Sequence, residues 1–124
     1  VAIKKSDIKM NILHRDIFDL NMIYSKKFDV VVEYTCFCAI DPCRRRDYLE
    51  MVQHILKPNG ELVGLLFPTD KDPSDGGPPY AVDLNPTIKF ISKYFSLVKQ
   101  EIPALSIKPR EGREVFVIFK NDKI

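Results

Sequence analysis

Residues 28–42 read FDVVVEYTCFCAIDP, a run of β-branched residues that stops at an acidic and an aromatic side chain. Val30, Val31 and Val32 do not alternate with polar residues, the pattern of a parallel strand covered on both faces, so helices must flank it. Asp41 followed by Pro42 is a helix start: the carboxylate caps orphan backbone donors, and a first-turn proline lacks only an N–H with no partner. Tyr48, Met51, Val52 and Ile55 then recur at helical spacing, with Arg44, Arg45, Asp47 and Glu50 left for the solvent face. Pro58-Asn59-Gly60 ends that helix near Lys57, and residues 62–67 form a second apolar strand stopped by Pro68. A shorter apolar run at 10–13 predicts an earlier strand whose carboxyl end carries His14, Arg15 and Asp16. Asn85-Pro86 repeats the cap-and-proline start before a helix with Ile88, Ile91 and Phe95 on one stripe; residues 97–102 read as an edge strand and 115–119 as a third apolar one. Strands alternating with helices predict an α/β fold with a mostly parallel sheet, and the final strand-loop-strand step permits an antiparallel last strand.

Composition narrows the classes. At 124 residues the chain holds one domain, small for a complete doubly wound nucleotide-binding unit. A start at Val1 directly before strand-like sequence leads us to expect that something precedes it in the parent protein. A net charge of +2 with both signs interleaved gives no field to steer nucleic acid or a membrane surface, so neither is expected as a partner. Cys36, Cys38 and Cys43 do not match a disulfide framework or a zinc pattern; buried or partly buried free thiols in a reducing, cytoplasmic compartment are expected, and no metal site. No apolar run approaches the ~20 residues of a membrane span.

Two polar loops interrupt this framework. Residues 68–85 are rich in proline, glycine and aspartate, a length that is uncommon in a compact domain unless it is functional or disordered. Residues 103–113 form the other. By residue type alone, Asp16 reads as a loop residue with Ile17 and Phe18 in the core, Glu33 as a solvated strand end, Tyr34 as a half-buried strand aromatic and Arg110 as an exposed arginine. His54 falls on the amphipathic helix, away from strand ends, and His14 has no evident partner.

Four segments, RDIFDL at 15–20, EYTCFCAIDP at 33–42, LKPNGELVGLLFP at 56–68 and GGPPYAV at 76–82, resemble the corresponding stretches of the thiopurine and thiol/halide methyltransferase family, in the family's order. That resemblance implies the class I methyltransferase fold with an antiparallel last strand, here as the C-terminal half of the domain, and S-adenosylmethionine as cofactor. It implies that the Asp16 carboxylate accepts a hydrogen bond from the adenine amino group while Ile17 and Phe18 pack on the ring, since an exocyclic amine only donates and a flat heterocycle suits apolar flanks. Glu33 and Tyr34 would lie beside the transferable methyl, with the Tyr34 hydroxyl holding a small nucleophile in line and Phe37 shaping the pocket. Gly76, Gly77, Pro78, Pro79 and Tyr80 would cover the acceptor, and Arg110 would contact it.

The chain departs from the family in one respect. The family's glycine-rich turn after the first strand has no counterpart, because the first glycine is Gly60. The segment alone is therefore expected to bind cofactor weakly or not at all. The implied reaction is direct displacement by a thiolate, hydrosulfide, thiopurine sulfur or halide, which needs no covalent intermediate and fits the lack of a Ser-His-Asp or Cys-His set. Two other readings stand beside it: a non-catalytic, methyltransferase-like module that pairs through a free sheet edge, and another nucleotide-binding α/β enzyme whose phosphate loop lies elsewhere.

Overall fold

A computed structural model describes residues 2–5 and 8–123. Its main sheet has four strands in the order β3-β4-β6-β5. Strands β3 (Phe28–Tyr34) and β4 (Leu56–Leu66) pair in parallel; β6 (Val115–Lys120) runs antiparallel to both β4 and the edge strand β5 (Ser96–Glu101). The antiparallel last strand follows from the short polar connection between β5 and β6, which leaves no crossover helix.

Helix α2 (Arg45–Ile55) is entered through a 3-10 turn, Pro42–Arg44, whose start is capped by Asp41 accepting from the Cys43 N–H at 3.0 Å. It buries the expected stripe, Tyr48, Met51, Val52 and Ile55, together with Leu49. Helix α3 (Leu84–Ile91) begins two residues earlier than the Asn85-Pro86 signal indicates. Asp83 occupies the cap position, and Pro86 sits inside the first turn, where its missing N–H costs no helical bond.

Both helices pack on the same face of the sheet, closing a core with Leu62 and Leu66 of β4 and Val115, Val117 and Phe119 of β6. Coverage of β3 on both faces is not observed. Val30 is 46% and Val32 76% exposed, because among the described residues every helix that buries core residues lies on the opposite face. The register aligns Val32 with Val63 and Val63 with Ile118, so this open face continues across three strands.

The early strand differs as well. Ile8–Asn11 forms β2, which among the described residues pairs only with β1 (Ala2–Lys5) as a separate antiparallel hairpin, and Met10, Ile12 and Leu13 are exposed. A four-residue helix, α1 (Leu20–Ile23), and the 3-10 turn Ile17–Asp19 before it then pack against α2. The end of β6 is fixed by Asn121, fully buried, whose Nδ2 reaches the carbonyls of Gln53, Leu56 and Lys57 at 3.2–3.3 Å. Among the described residues no helix is long and apolar enough to cross a membrane.

Candidate functional site

The carboxyl end of β3 divides its last two residues between the two faces of the sheet, as strand geometry requires. Glu33 points under α2 and is 5% exposed. Its Oε1 accepts from the Phe37 N–H at 3.0 Å and the Tyr48 hydroxyl at 2.5 Å, and its Oε2 from the Cys36 N–H at 3.2 Å. Both oxygens are thus occupied by donors of the chain itself, so Glu33 shapes the turn rather than standing as a solvated strand end. Burial, and then the negative Glu33, raise the Cys36 and Cys38 thiols above their ordinary value and push the Tyr48 phenol far above its own. All of these groups remain protonated at neutral pH.

Tyr34 faces the other way and is half exposed. The next residue, Thr35, has φ +59°, a left-handed conformation costly for a β-branched side chain, and its hydroxyl donates to the Tyr34 carbonyl at 2.7 Å. Over the Tyr34 ring lies the guanidinium of Arg110, 5.0 Å from the centroid, which also stacks 4.3 Å from the Phe67 ring. Arg110 ends a 3-10 turn, Lys108–Arg110, in the β5–β6 connection. Its Nη1 is buried with no partner, and among the described residues no carboxylate pairs with it. Neighbouring Arg113, 5.2 Å over Phe67, is by contrast neutralised by Asp70 at 2.9 Å.

Arg110, Phe67, Pro78, Pro79, Thr35 and Cys38 line a cavity of about 280 Å³. The 76–80 loop is held over it by Tyr80, whose N–H donates to the Cys38 carbonyl at 2.7 Å, and by Lys71, whose Nζ donates to the Pro79 carbonyl at 2.5 Å. Tyr34, Pro78, Pro79 and Arg110 are therefore brought together, along with Phe67 and Thr35, which the sequence did not single out. An aromatic at the carboxyl end of a central strand, just before a proline, is the signal that could have marked Phe67.

Phe37 and Tyr80 lie elsewhere. Phe37 is buried edge-on against Tyr48, and with Tyr80 it lines a second cavity of about 480 Å³ toward α3. Arg45, expected on the water face, is half-buried there: its guanidinium stacks 4.5 Å over Phe37 and donates to the Ala81 carbonyl at 3.0 Å, and burial lowers its pKa. Asp16, Ile17 and Phe18 form a separate corner. Asp16 Oδ1 caps its own turn through the Phe18 N–H at 2.9 Å, Ile17 and Phe18 are half-buried against the core, and the Arg44 guanidinium stacks 3.6 Å from the Phe18 ring. His14 and His54 are exposed. Of the free thiols, Cys36 and Cys38 are at least half-buried, but Cys43 is exposed.

The family model for thiopurine S-methyltransferase matches residues 2–120. The chain belongs to the thiopurine S-methyltransferase family. Over 94 residues it is 37% identical to the probable thiol methyltransferase 2 of Arabidopsis thaliana, a match that covers 73% of this chain and 39% of that protein. Over 89 residues it is 38% identical to thiocyanate methyltransferase 1 of Brassica oleracea, covering 70% of this chain and 38% of the relative. The chain thus spans about two fifths of the length of these relatives.

Among solved structures, the Burkholderia thailandensis 1,6-didemethyltoxoflavin-N1-methyltransferase, with bound 1,6-didemethyltoxoflavin and S-adenosylhomocysteine, superposes with a TM-score of 0.67 at 16% identity, over 90% of this chain and 50% of that one. The N-methyltransferase NodS of Bradyrhizobium japonicum WM9, in complex with S-adenosylhomocysteine, gives 0.64 at 15% identity, over 90% and 54%. The fold is that of the S-adenosylmethionine-dependent methyltransferases, a partial Rossmann-like sheet closed by an antiparallel strand.

Proposed function

We propose that this chain forms the acceptor-binding, C-terminal half of a methyltransferase that moves a methyl group from S-adenosylmethionine to a small sulfur or halide anion. The observation that carries the reading is Arg110: a half-buried guanidinium with an unpartnered Nη1 and no paired carboxylate among the described residues, stacked on Tyr34 and Phe67 at the mouth of the cavity under the 76–80 loop. A fixed cation with aromatic walls suits a soft, weakly hydrated anion, because it supplies charge complementarity without a competing acceptor. Names of the relatives that mention thiol and thiocyanate support the same class.

S-adenosylmethionine, when bound, supplies a methyl group on a sulfonium. The described residues fit one part of it: none of them bonds the second oxygen of Asp16, and Ile17 and Phe18 offer apolar surface beside it, one face of the Phe18 ring being taken by Arg44, the set suited to an adenine. Arg110 attracts the anion and Tyr34 orients it with its hydroxyl, while Pro78 and Pro79 exclude water. Glu33 fixes the turn that aims Tyr34. A soft anion attacks as it is, so no general base is required; the work of the chain is orientation and desolvation. The open face of β3 and β4 and the lack of glycine before Gly60 fit a half domain whose cofactor-side elements lie in another part of the protein. Free Cys36, Cys38 and Cys43 suit a reducing, cytoplasmic setting.

A second reading, a non-catalytic module, is favoured by the free edge of β3. Both are tested in the protein that carries this chain, by calorimetric titration with S-adenosylhomocysteine and a methyl-transfer assay with thiocyanate, hydrosulfide and iodide. Arg110→Ala is expected to lower kcat/KM for each anion about 10- to 100-fold, the loss of one charge-assisted contact, with S-adenosylhomocysteine affinity unchanged. Unaltered kcat/KM in the variant would remove Arg110 from the acceptor site. Absence of both binding and turnover in the wild type would leave the module.

A further inference from the structure

At the opposite edge of the sheet, a cavity of about 590 Å³ opens between the start of α3, the end of β5 and the start of β6, and it shares no lining residue with the Arg110 cavity. Glu114 lines it. That side chain is 4% exposed, its Oε2 is buried without a hydrogen-bond partner, and among the described residues no Lys, Arg or His forms an ion pair with it. Arg113, next in sequence, is occupied by Asp70 at 2.9 Å, Lys99 pairs with Glu101 at 3.6 Å, and Arg110 is turned to the other cavity, stacked on Tyr34 and Phe67. A buried carboxylate left in this state is costly and calls for either a proton or a cation brought from outside.

We propose that this cavity binds a small organic ammonium ion. Glu114 receives the charged head, the side-chain oxygens of Thr69 and Gln100 accept its remaining N–H bonds, and Leu84, Ile102 and Val115 contact the alkyl body. Glu101 stands at the same cavity and adds negative charge that Lys99 only partly offsets. Two observations select an organic cation over a metal ion. The lining is apolar on one side, and no group of three metal-ligating side chains exists among the described residues. The volume lies in the range of small-molecule sites. The proposal is independent of methyl transfer.

The probe is n-butylammonium chloride, titrated into the protein at constant ionic strength with sodium chloride as the control, and read by backbone amide NMR and by thermal melting. Saturable shifts are expected at the amides of Thr69, Leu84, Gln100 and Val115. In Glu114→Gln the affinity falls at least about tenfold. Glu114→Gln should also melt at or above the wild-type temperature without the amine, and should lose the amine-dependent rise. Glu50→Gln, an exposed and paired site on α2 outside the cavity, should retain binding within about threefold. Shifts that fail to saturate, an equal response to sodium chloride, or equal affinity in Glu114→Gln would each overturn the proposal.

Discussion

Glu33→Ala should be among the most damaging single substitutions in the chain, and its cost can be worked from three contacts. The carboxylate accepts from the N–H groups of Cys36 and Phe37 at 3.2 and 3.0 Å and from the Tyr48 hydroxyl at 2.5 Å. Removing it leaves the Phe37 N–H and the Tyr48 hydroxyl without an acceptor in a buried site. Each orphaned donor costs about 1–3 kcal/mol, and hydrogen bonds to a charged group are worth about 1.5–3 kcal/mol each. Release of the desolvation cost of a buried carboxylate offsets part of this, so the expected net loss is about 3–5 kcal/mol, the range for breaking a buried charged network. Glu33→Gln keeps one acceptor oxygen for Phe37 and Tyr48 but turns its amide nitrogen on the Cys36 N–H; about 1–2 kcal/mol is expected. Tyr48→Phe removes one donor of three and should cost about 1–3 kcal/mol. Urea unfolding at neutral pH, followed by circular dichroism, reads all three through the midpoint at constant slope. A loss under about 1 kcal/mol for Glu33→Ala, or a larger loss for Gln than for Ala, would refute the network as the support of the turn.

Raised thiol and phenol pKa values predict alkaline lability. The folded state holds protons on Cys36, Cys38 and Tyr48 that the unfolded chain gives up, so their contribution is complete below the ordinary thiol value of 9.0 and is lost as pH rises through it, more steeply past the phenol value of 10.0. Melting temperatures between pH 7 and 11 should be flat and then fall, and Tyr48→Phe should flatten the upper part of the fall. Gly64→Ala should destabilise by about 1–3 kcal/mol, because a Cβ there would stand 2.9 Å from the Glu33 carbonyl oxygen of the paired strand; an unchanged unfolding midpoint would show that the strands separate freely. Thr35→Gly removes a β-branched side chain from a left-handed backbone and should be neutral or stabilising by up to about 1 kcal/mol; a loss above that, by the same measurement, would mean that the hydroxyl bond to Tyr34 outweighs the strain.

Helical spacing identified the α2 stripe, and β-branched runs identified β3, β4 and β6, since burial under a helix leaves a repeat in the chain. What escaped depends on partners far apart in sequence. Glu33 reads as a solvated strand end because two of its donors are backbone groups and the third is fifteen residues on. Arg45 lies at a polar position of α2, yet its carbonyl partner is 36 residues away. Asn121 has no sequence signal, although it ties the end of β6 to the junction of α2 and β4. Val30 and Val32 misled in the opposite sense: an apolar run records that a face is to be covered, and does not record by what. Around the candidate site, Tyr34, Pro78 and Pro79 lie in segments that carry the family resemblance and Arg110 only in the loosely similar last loop, whereas Phe37 and Tyr80 line the second cavity, because alternation within a turn cannot be read from residue type.

Strand parity ties the proposed acceptor site to the open face. Val31 and Glu33 point beneath α2, whereas Val30, Val32 and Tyr34 point to the face that no described helix covers. Whatever covers Val32 must therefore also approach Tyr34, since the two are neighbours on one face of one strand. Arg110 already closes one side of that ring and Phe67 continues the wall, so the uncovered direction is the one along β3 toward Val32 and Val30. An element docked there would bury apolar surface and narrow the approach to Tyr34 in a single step. Fold stability and acceptor access should then change together: Val32→Lys, which leaves the Arg110 cavity untouched, should weaken methyl transfer in the complete protein, whereas the same change at an exposed position of α2 should not.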